Sequence, residues 1–174
     1  MGIQLVFCCR DRLLIEAETM NESVLTGCKD LITTTIIVGG RIDMEILHYT
    51  FEGEGMQRVF ENEKWTVGIK NWKPANDISG ISNLERHNQT DELFVLVNGA
   101  CTLVYANEEE GKLVFGAVKM QPNRVYNIPS KLWHNTITQK DTKMILVEDS
   151  NTSMENSDIR DLSEAELAEL KELL

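Results

Sequence analysis

The chain contains three histidines, His48, His87 and His134, and two of them stand in settings that suit metal chemistry. His87 lies in Glu85-Arg86-His87-Asn88-Gln89-Thr90-Asp91-Glu92, and His134 closes Pro129-Ser130-Lys131-Leu132-Trp133-His134. Two imidazoles and a carboxylate with open coordination positions suit Fe(II), and Mn(II), Ni(II) or Zn(II) also accept such a set. If Glu85 joins His87, Glu92 and His134, the second carboxylate shifts preference toward a harder ion such as Mn(II). A divalent ion held this way polarises a carbonyl or stabilises an enolate, which supports isomerase or lyase chemistry. As Fe(II) it would open oxygen-dependent cleavage. The sequence offers no nucleophile triad and no phosphate-cradling glycine loop. A catalytic reading therefore rests on the metal, with Glu92 or Glu85 as general base.

Each of these residues also has a plain structural reading. A buried histidine is more often a satisfied core residue than a ligand, and His48, in Leu47-His48-Tyr49, fits no motif. Glu85 at a strand end has Arg86 and Lys131 available as ion-pair partners. Arg124 and Tyr126 alternate along one strand, so they supply polar groups either to a pocket or to the surface.

The elements that must position the candidates read as short strands divided by turn signals every 8–12 residues from Met44 to Ser150. Glu45–Phe51, Trp65–Trp72, Leu93–Val97, Ala100–Ala106, Lys112–Lys119, Arg124–Ile128, Trp133–Thr138 and Lys143–Glu148 have strand texture. Asn98-Gly99 signals a tight hairpin, because both central positions of such a turn need positive φ. Glu85 and His87 are two residues apart, so on a strand they share a face. The polar run Asn88–Asp91 lets the chain reverse so that Glu92 opens the next strand beside them. His134 follows the turn at Pro129 and begins another strand. Residues at such strand starts can converge at one barrel mouth. Trp133 should point the opposite way to His134, and the three tryptophans are candidates to line the barrel.

These segments resemble the two motifs of the cupin superfamily. His87 matches the second histidine of the first motif, Glu92 its glutamate and Gly99 its closing glycine. Pro129 and His134 match the proline and histidine of the second motif. Glu85 stands where the first motif histidine would be, and Ser79 where its opening glycine would be. Asn123, Lys131 and Thr138 replace two glycines and an asparagine of the second motif. The resemblance covers Met44–Ser150. It implies an all-β fold, a cupin-like barrel or jelly roll, with a divalent metal ion at its mouth. The implied ligand is a small polar molecule such as an organic acid or a sugar derivative. The rival expectation is a non-catalytic barrel that binds a ligand or serves assembly, its metal site degenerate.

The flanks differ in texture. Residues 1–43 carry strand-like stretches at Ile3–Phe7 and Leu31–Val38 and read as an N-terminal arm, packed on the barrel or on a second subunit. A competing expectation is that Met44 is the true start. Residues 151–174 read as a linker and a C-terminal helix, with Ser163 as N-cap and Glu166 completing a capping box. Leu162 and Leu167 form a hydrophobic staple, and Leu167, Leu170, Leu173 and Leu174 an apolar stripe.

The net charge of the 174-residue chain is −11, and the segment from Glu148 onward, with nine acids against Arg160 and Lys171, holds most of it. Such a surface repels phosphate backbones, so nucleic acid is not an expected partner. No apolar run approaches the roughly 18–20 residues that cross a bilayer, so no membrane partner is expected. Cys8, Cys9, Cys28 and Cys101 form no Cys-x-x-Cys pair, which points to a reduced, cytoplasmic protein. A homo-oligomer, a dimer in the simplest case, is the expected assembly, because added strands let such barrels pair.

Overall fold

In the computed structural model, residues Glu45–Leu174 are described. The expectations about the N-terminal arm, the Met44 start, Cys8, Cys9 and Cys28 lie outside them. Ten strands are found among the described residues: β1 (Met56–Glu61), β2 (Trp65–Asn71), β3 (Asn83–His87), β4 (Glu92–Asn98), β5 (Cys101–Glu109), β6 (Lys112–Lys119), β7 (Val125–Ile128), β8 (Trp133–Thr138), β9 (Lys143–Asp149) and β10 (Ser157–Asp161). One helix, α1 (Glu164–Glu172), follows. The strands form two five-stranded sheets, ordered β1-β2-β9-β4-β7 and β10-β3-β8-β5-β6. Every strand pair is antiparallel. The protein is thus all-β, a jelly-roll barrel with a short C-terminal helix.

Alternation along the strands builds the interior. In β4, Glu92, Phe94 and Leu96 are buried, and in β9, Met144, Leu146 and Glu148 are. The register sets Glu92 beside Glu148, Phe94 beside Leu146 and Leu96 beside Met144. Cys101 and Leu103 of β5 meet Phe94, Leu96, Met144 and Leu146 from the other sheet, and Met120 and Ile128 complete the core. Phe94, Leu96 and Met144 are at most 1% exposed, and burying each such side chain is worth about 1.5–3 kcal/mol. The apolar contact fills one end of the barrel, and the charged residues Glu92 and Glu148 stand at the other.

A second core lies on the far face of the β10-β3-β8-β5-β6 sheet. Leu84, Val104, Ala106, Leu113 and Trp133 pack there with Ile81, Leu162 and Leu170. The helix closes this layer: Leu170 is fully buried, and Leu167 and Leu174 pack against the cluster. Both halves of the capping box between Ser163 and Glu166 are present. Leu173, part of the expected stripe, is 49% exposed instead.

The structure corrects several expectations. Glu45–Phe51 forms no strand; the first strand, β1, starts after Gly55, at Met56. Asn98-Gly99 is not a hairpin. β4 and β5 belong to different sheets, and Asn98 ends β4 paired with Lys143. Only Gly99 takes positive φ, at 73°, as the chain crosses between sheets. The tight hairpin falls instead at Glu110-Gly111 (φ 49° and 79°), joining β5 to β6. Ser157–Asp161, within the expected linker, is β10 and pairs with β3 along its whole length. No tryptophan belongs to the inter-sheet core: Trp133 packs in the outer layer, as expected from its place beside His134, and Trp65 is 48% exposed.

Candidate metal centre

Three strands bring the candidate ligands together. His87 is the last residue of β3, Glu92 the first of β4 and His134 the second of β8. β3 and β8 lie in one sheet and β4 in the other, so Glu92 faces the imidazoles across the barrel rather than standing beside them on an adjacent strand. The polar run Asn88–Asp91 makes that crossing. Asp91 secures its far end by accepting from the Ser130 N–H at 2.9 Å and from Asn127 at 3.1 Å.

The donor atoms of His87, Glu92 and His134 all lie within 4.8 Å of one another. Glu92 Oε2 is 3.1 Å from His134 Nε2 and 3.4 Å from His87 Nε2. Two ligand atoms each about 2.1 Å from one ion are about 3.0 Å apart at a right angle and about 3.4 Å apart at the tetrahedral angle. The observed separations therefore fit ligands of a common ion. The two rings meet edge to face, with centroids 5.5 Å apart.

The outer atoms of both rings are held as well. His134 Nδ1 is 3.0 Å from the Leu132 carbonyl, and His87 Nδ1 is 2.8 Å from Ser157 Oγ. A carbonyl only accepts, so His134 Nδ1 carries a proton and donates it. In the neutral ring, Nε2 then presents its lone pair to the Glu92 carboxylate. Two electron pairs 3.1 Å apart repel unless a positive centre, a proton or a metal ion, lies between them. Orientation of a ligating histidine through its second nitrogen is a regular feature of metal sites.

Burial raises the cost of charge at Glu92, 4% exposed, yet the hydrogen bonds from His134 and His87 outweigh it and hold the carboxyl near a pKa of about 2. His87 is raised above its usual value, first by its hydrogen bond to Glu92, against the opposing effect of burial, with Glu85 and Glu148 adding to the increase. Glu148 is pushed up by burial and by the nearby Glu92, although Arg58 draws it back. Arg58 donates to Glu148 at 2.9 Å and to the Thr152 carbonyl at 2.7 Å.

Glu85 shares the inward face of β3 with His87 and sits directly opposite His134 in the strand register. Its carboxylate is not one of the three convergent donors; it acts on the cluster through its charge on His87. Among the described residues neither Arg86 nor Lys131 pairs with it. Arg86 pairs with Asp158 at 2.8 Å and stacks 4.3 Å from the Trp133 ring. Tyr126 turns its hydroxyl to the Gln121 N–H, and Arg124 is exposed.

Sequence reading passed over Ser157, Arg58, Glu148 and Lys70. Ser157 comes from the unexpected β10, far along the chain from His87. The other three lie on strands where alternation places polar residues outside by default, whereas here they face inward. Two surface clefts, of about 230 Å³ beside Arg86, Lys131 and Trp133 and about 670 Å³ beside Trp72, Asn98 and Lys140, do not include the cluster. No helix among the described residues is long and apolar enough to cross a membrane.

No protein-family model matches the sequence, and no curated protein matches it. Similar solved structures include a cupin-2 domain containing protein from Shewanella frigidimarina, at 15% identity and TM-score 0.42, over 57% of this chain and 84% of that one. KdgF from a Halomonas species is similar at 13% identity and TM-score 0.41, over 62% and 89%. A Streptomyces PAC13 variant solved with uridine is similar at 15% identity and TM-score 0.47, over 71% and 98%. The chain itself folds as a barrel of two antiparallel five-stranded sheets.

Proposed function

We propose that the protein binds one divalent metal ion through His87, Glu92 and His134 and presents it to a small polar ligand at the barrel mouth. The observation that carries this reading is the pairing of His134 Nε2 with Glu92 Oε2 at 3.1 Å while His134 Nδ1 is committed to a carbonyl. That arrangement asks for a cation where the two lone pairs meet. Three protein ligands leave positions open, which is the pattern of a site that acts on a ligand rather than one that only stabilises the fold. A bound ion would supply Lewis acidity, serving isomerase or lyase chemistry, or as Fe(II) oxygen chemistry. His87 and His134 would hold the ion, oriented by Ser157 and the Leu132 carbonyl. Glu92 is a ligand, so a proton-transfer role falls to Glu85, whose place beside His87 lets it receive a proton at the rim.

A second reading has its own support. A proton can take the place of the ion, since Glu92 then satisfies both imidazoles and the buried network closes without metal. On that reading the barrel binds a ligand without metal chemistry.

Metal content of the untagged protein by plasma mass spectrometry, beside a His134→Ala variant, separates the two. Near one equivalent in the parent, none in the variant, and a lower melting temperature after chelation support the metal centre. A parent that is empty and refuses Mn(II), Fe(II), Ni(II) and Zn(II) rules it out.

A further inference from the structure

Lys70 is 7% exposed and lies on the inward face of β2, in line with Thr66 and Gly68. Met144 of β9 and Met56 of β1 flank it in the register. Its ammonium stands 5.9 Å from the centroid of the Phe94 ring. The same ring meets the His134 imidazole edge to face at 6.3 Å. One aromatic ring is thus a neighbour of both this cation and a candidate ligand. Burying an ammonium is costly unless it finds a partner of opposite charge.

Three of the other inward charges, Arg58, Glu148 and Glu92, are already engaged. Arg58 and Glu148 pair with each other at 2.9 Å. Glu92 faces the two imidazoles. Among the described residues, no carboxylate lies within 4.0 Å of Lys70. Its field still reaches the interior, favouring the ionised forms of both Glu92 and Cys101. Arg58 and Lys70 stand against Glu85, Glu92 and Glu148, so a divalent ion would leave one positive charge that these inward groups do not offset. An anionic ligand restores the balance.

We propose that Lys70 anchors the carboxylate of a small organic acid whose second oxygen function reaches the His87–Glu92–His134 cluster. This rests on the metal reading above and narrows its ligand to short carboxylic acids, at the expense of neutral sugars. The lysine serves as a compact point charge with three donors, suited to one carboxylate end rather than to a flat bidentate clamp.

The test uses the full chain loaded with Mn(II), titrated calorimetrically with malonate and with its uncharged analogue malonamide. Metal content is measured on the same samples. The expected result is that Lys70→Met weakens malonate binding about tenfold or more, equivalent to about 1.4 kcal/mol, with Mn(II) content unchanged. Lys70→Arg should retain binding within a few-fold, and malonamide should not distinguish Lys70→Met from the parent. Lys70→Gln provides the same comparison if the methionine variant does not fold. Equal malonate affinity in the parent and the charge-removing variants overturns the proposal, as does a metal-loaded parent that does not bind malonate. A parent that takes up no metal refutes the metal reading separately. Titration of that metal-free parent still decides about Lys70: malonate binding lost in Lys70→Met supports the anchor, and its absence overturns it.

Discussion

Replacing Glu92 with glutamine isolates what the buried carboxylate contributes to the metal-free protein. Burial opposes ionisation of Glu92, but the hydrogen bonds from His134 and His87 lower its pKa from 4.5 to about 2. One pKa unit corresponds to 1.36 kcal/mol, so the ionised form contributes about 3 kcal/mol of folding stability at neutral pH. The folded value is the depressed one. The contribution is therefore complete above pH 4.5 and falls as pH drops toward 2. At pH 3 about 2 kcal/mol of it should be gone. Glutamine keeps the size and hydrogen-bonding capacity of the side chain but cannot titrate. Urea unfolding of both proteins, freed of metal, at pH 5 and pH 3 gives the measurement. The parent should lose about 2 kcal/mol more than Glu92→Gln over that interval, because His87, whose raised pKa depends on Glu92, is already protonated at pH 5 and the remaining acids titrate in both. Equal losses would refute the argument that the imidazoles hold Glu92 ionised in the folded state.

Gly99→Ala should destabilise the protein by about 2 kcal/mol or more in the same assay, since a Cβ there would sit 2.6 Å from the Asp141 carbonyl oxygen at a φ of 73°. Retention of parental stability would mean that the crossing between sheets is less constrained than described. Cys101 is 4% exposed and its thiol is pushed up to about 12 by burial, so iodoacetamide at pH 8 should leave it unmodified in the native protein and label it in urea. Peptide mass spectrometry reads the outcome, and rapid native labelling of Cys101 would contradict its placement between the sheets. Ser163→Ala should cost about 1 kcal/mol through loss of the N-cap; a cost near zero would indicate that Leu170 and its neighbours alone hold α1 on the barrel.

Much of the site was legible in the sequence because it depends on local spacing. The separation of Glu85 and His87 by two residues placed them on one face of β3, and the polar run before Glu92 marked the end of that strand, although the chain there crosses to the other sheet instead of reversing beside it. The turn after Pro129 set His134 near the start of β8, with Trp133 directed to the opposite face. The capping box of α1 was likewise a local pattern, complete within four residues. Period-two alternation determined the all-β class, since each buried run in β4 and β9 is short and strictly alternating.

Pairing between distant strands was decided only in three dimensions. Asn98-Gly99 has the composition of a hairpin, but Asn98 spends its hydrogen bonds on Lys143 and Asp141, more than 40 residues away, and the chain crosses to the other sheet. Ser157 meets His87 because β10 adds to the free edge of β3, a contact 70 residues apart that nothing near either residue encodes. Lys70 looks like a solvent-facing residue in a strand, yet the register with Met144 turns it into the barrel. Residue type and spacing determined which side chains were able to coordinate an ion. Which oxygens and charges surround them was decided by strand pairing, because backbone hydrogen bonds join segments without regard to the side chains they carry and only closure of the barrel selects one register.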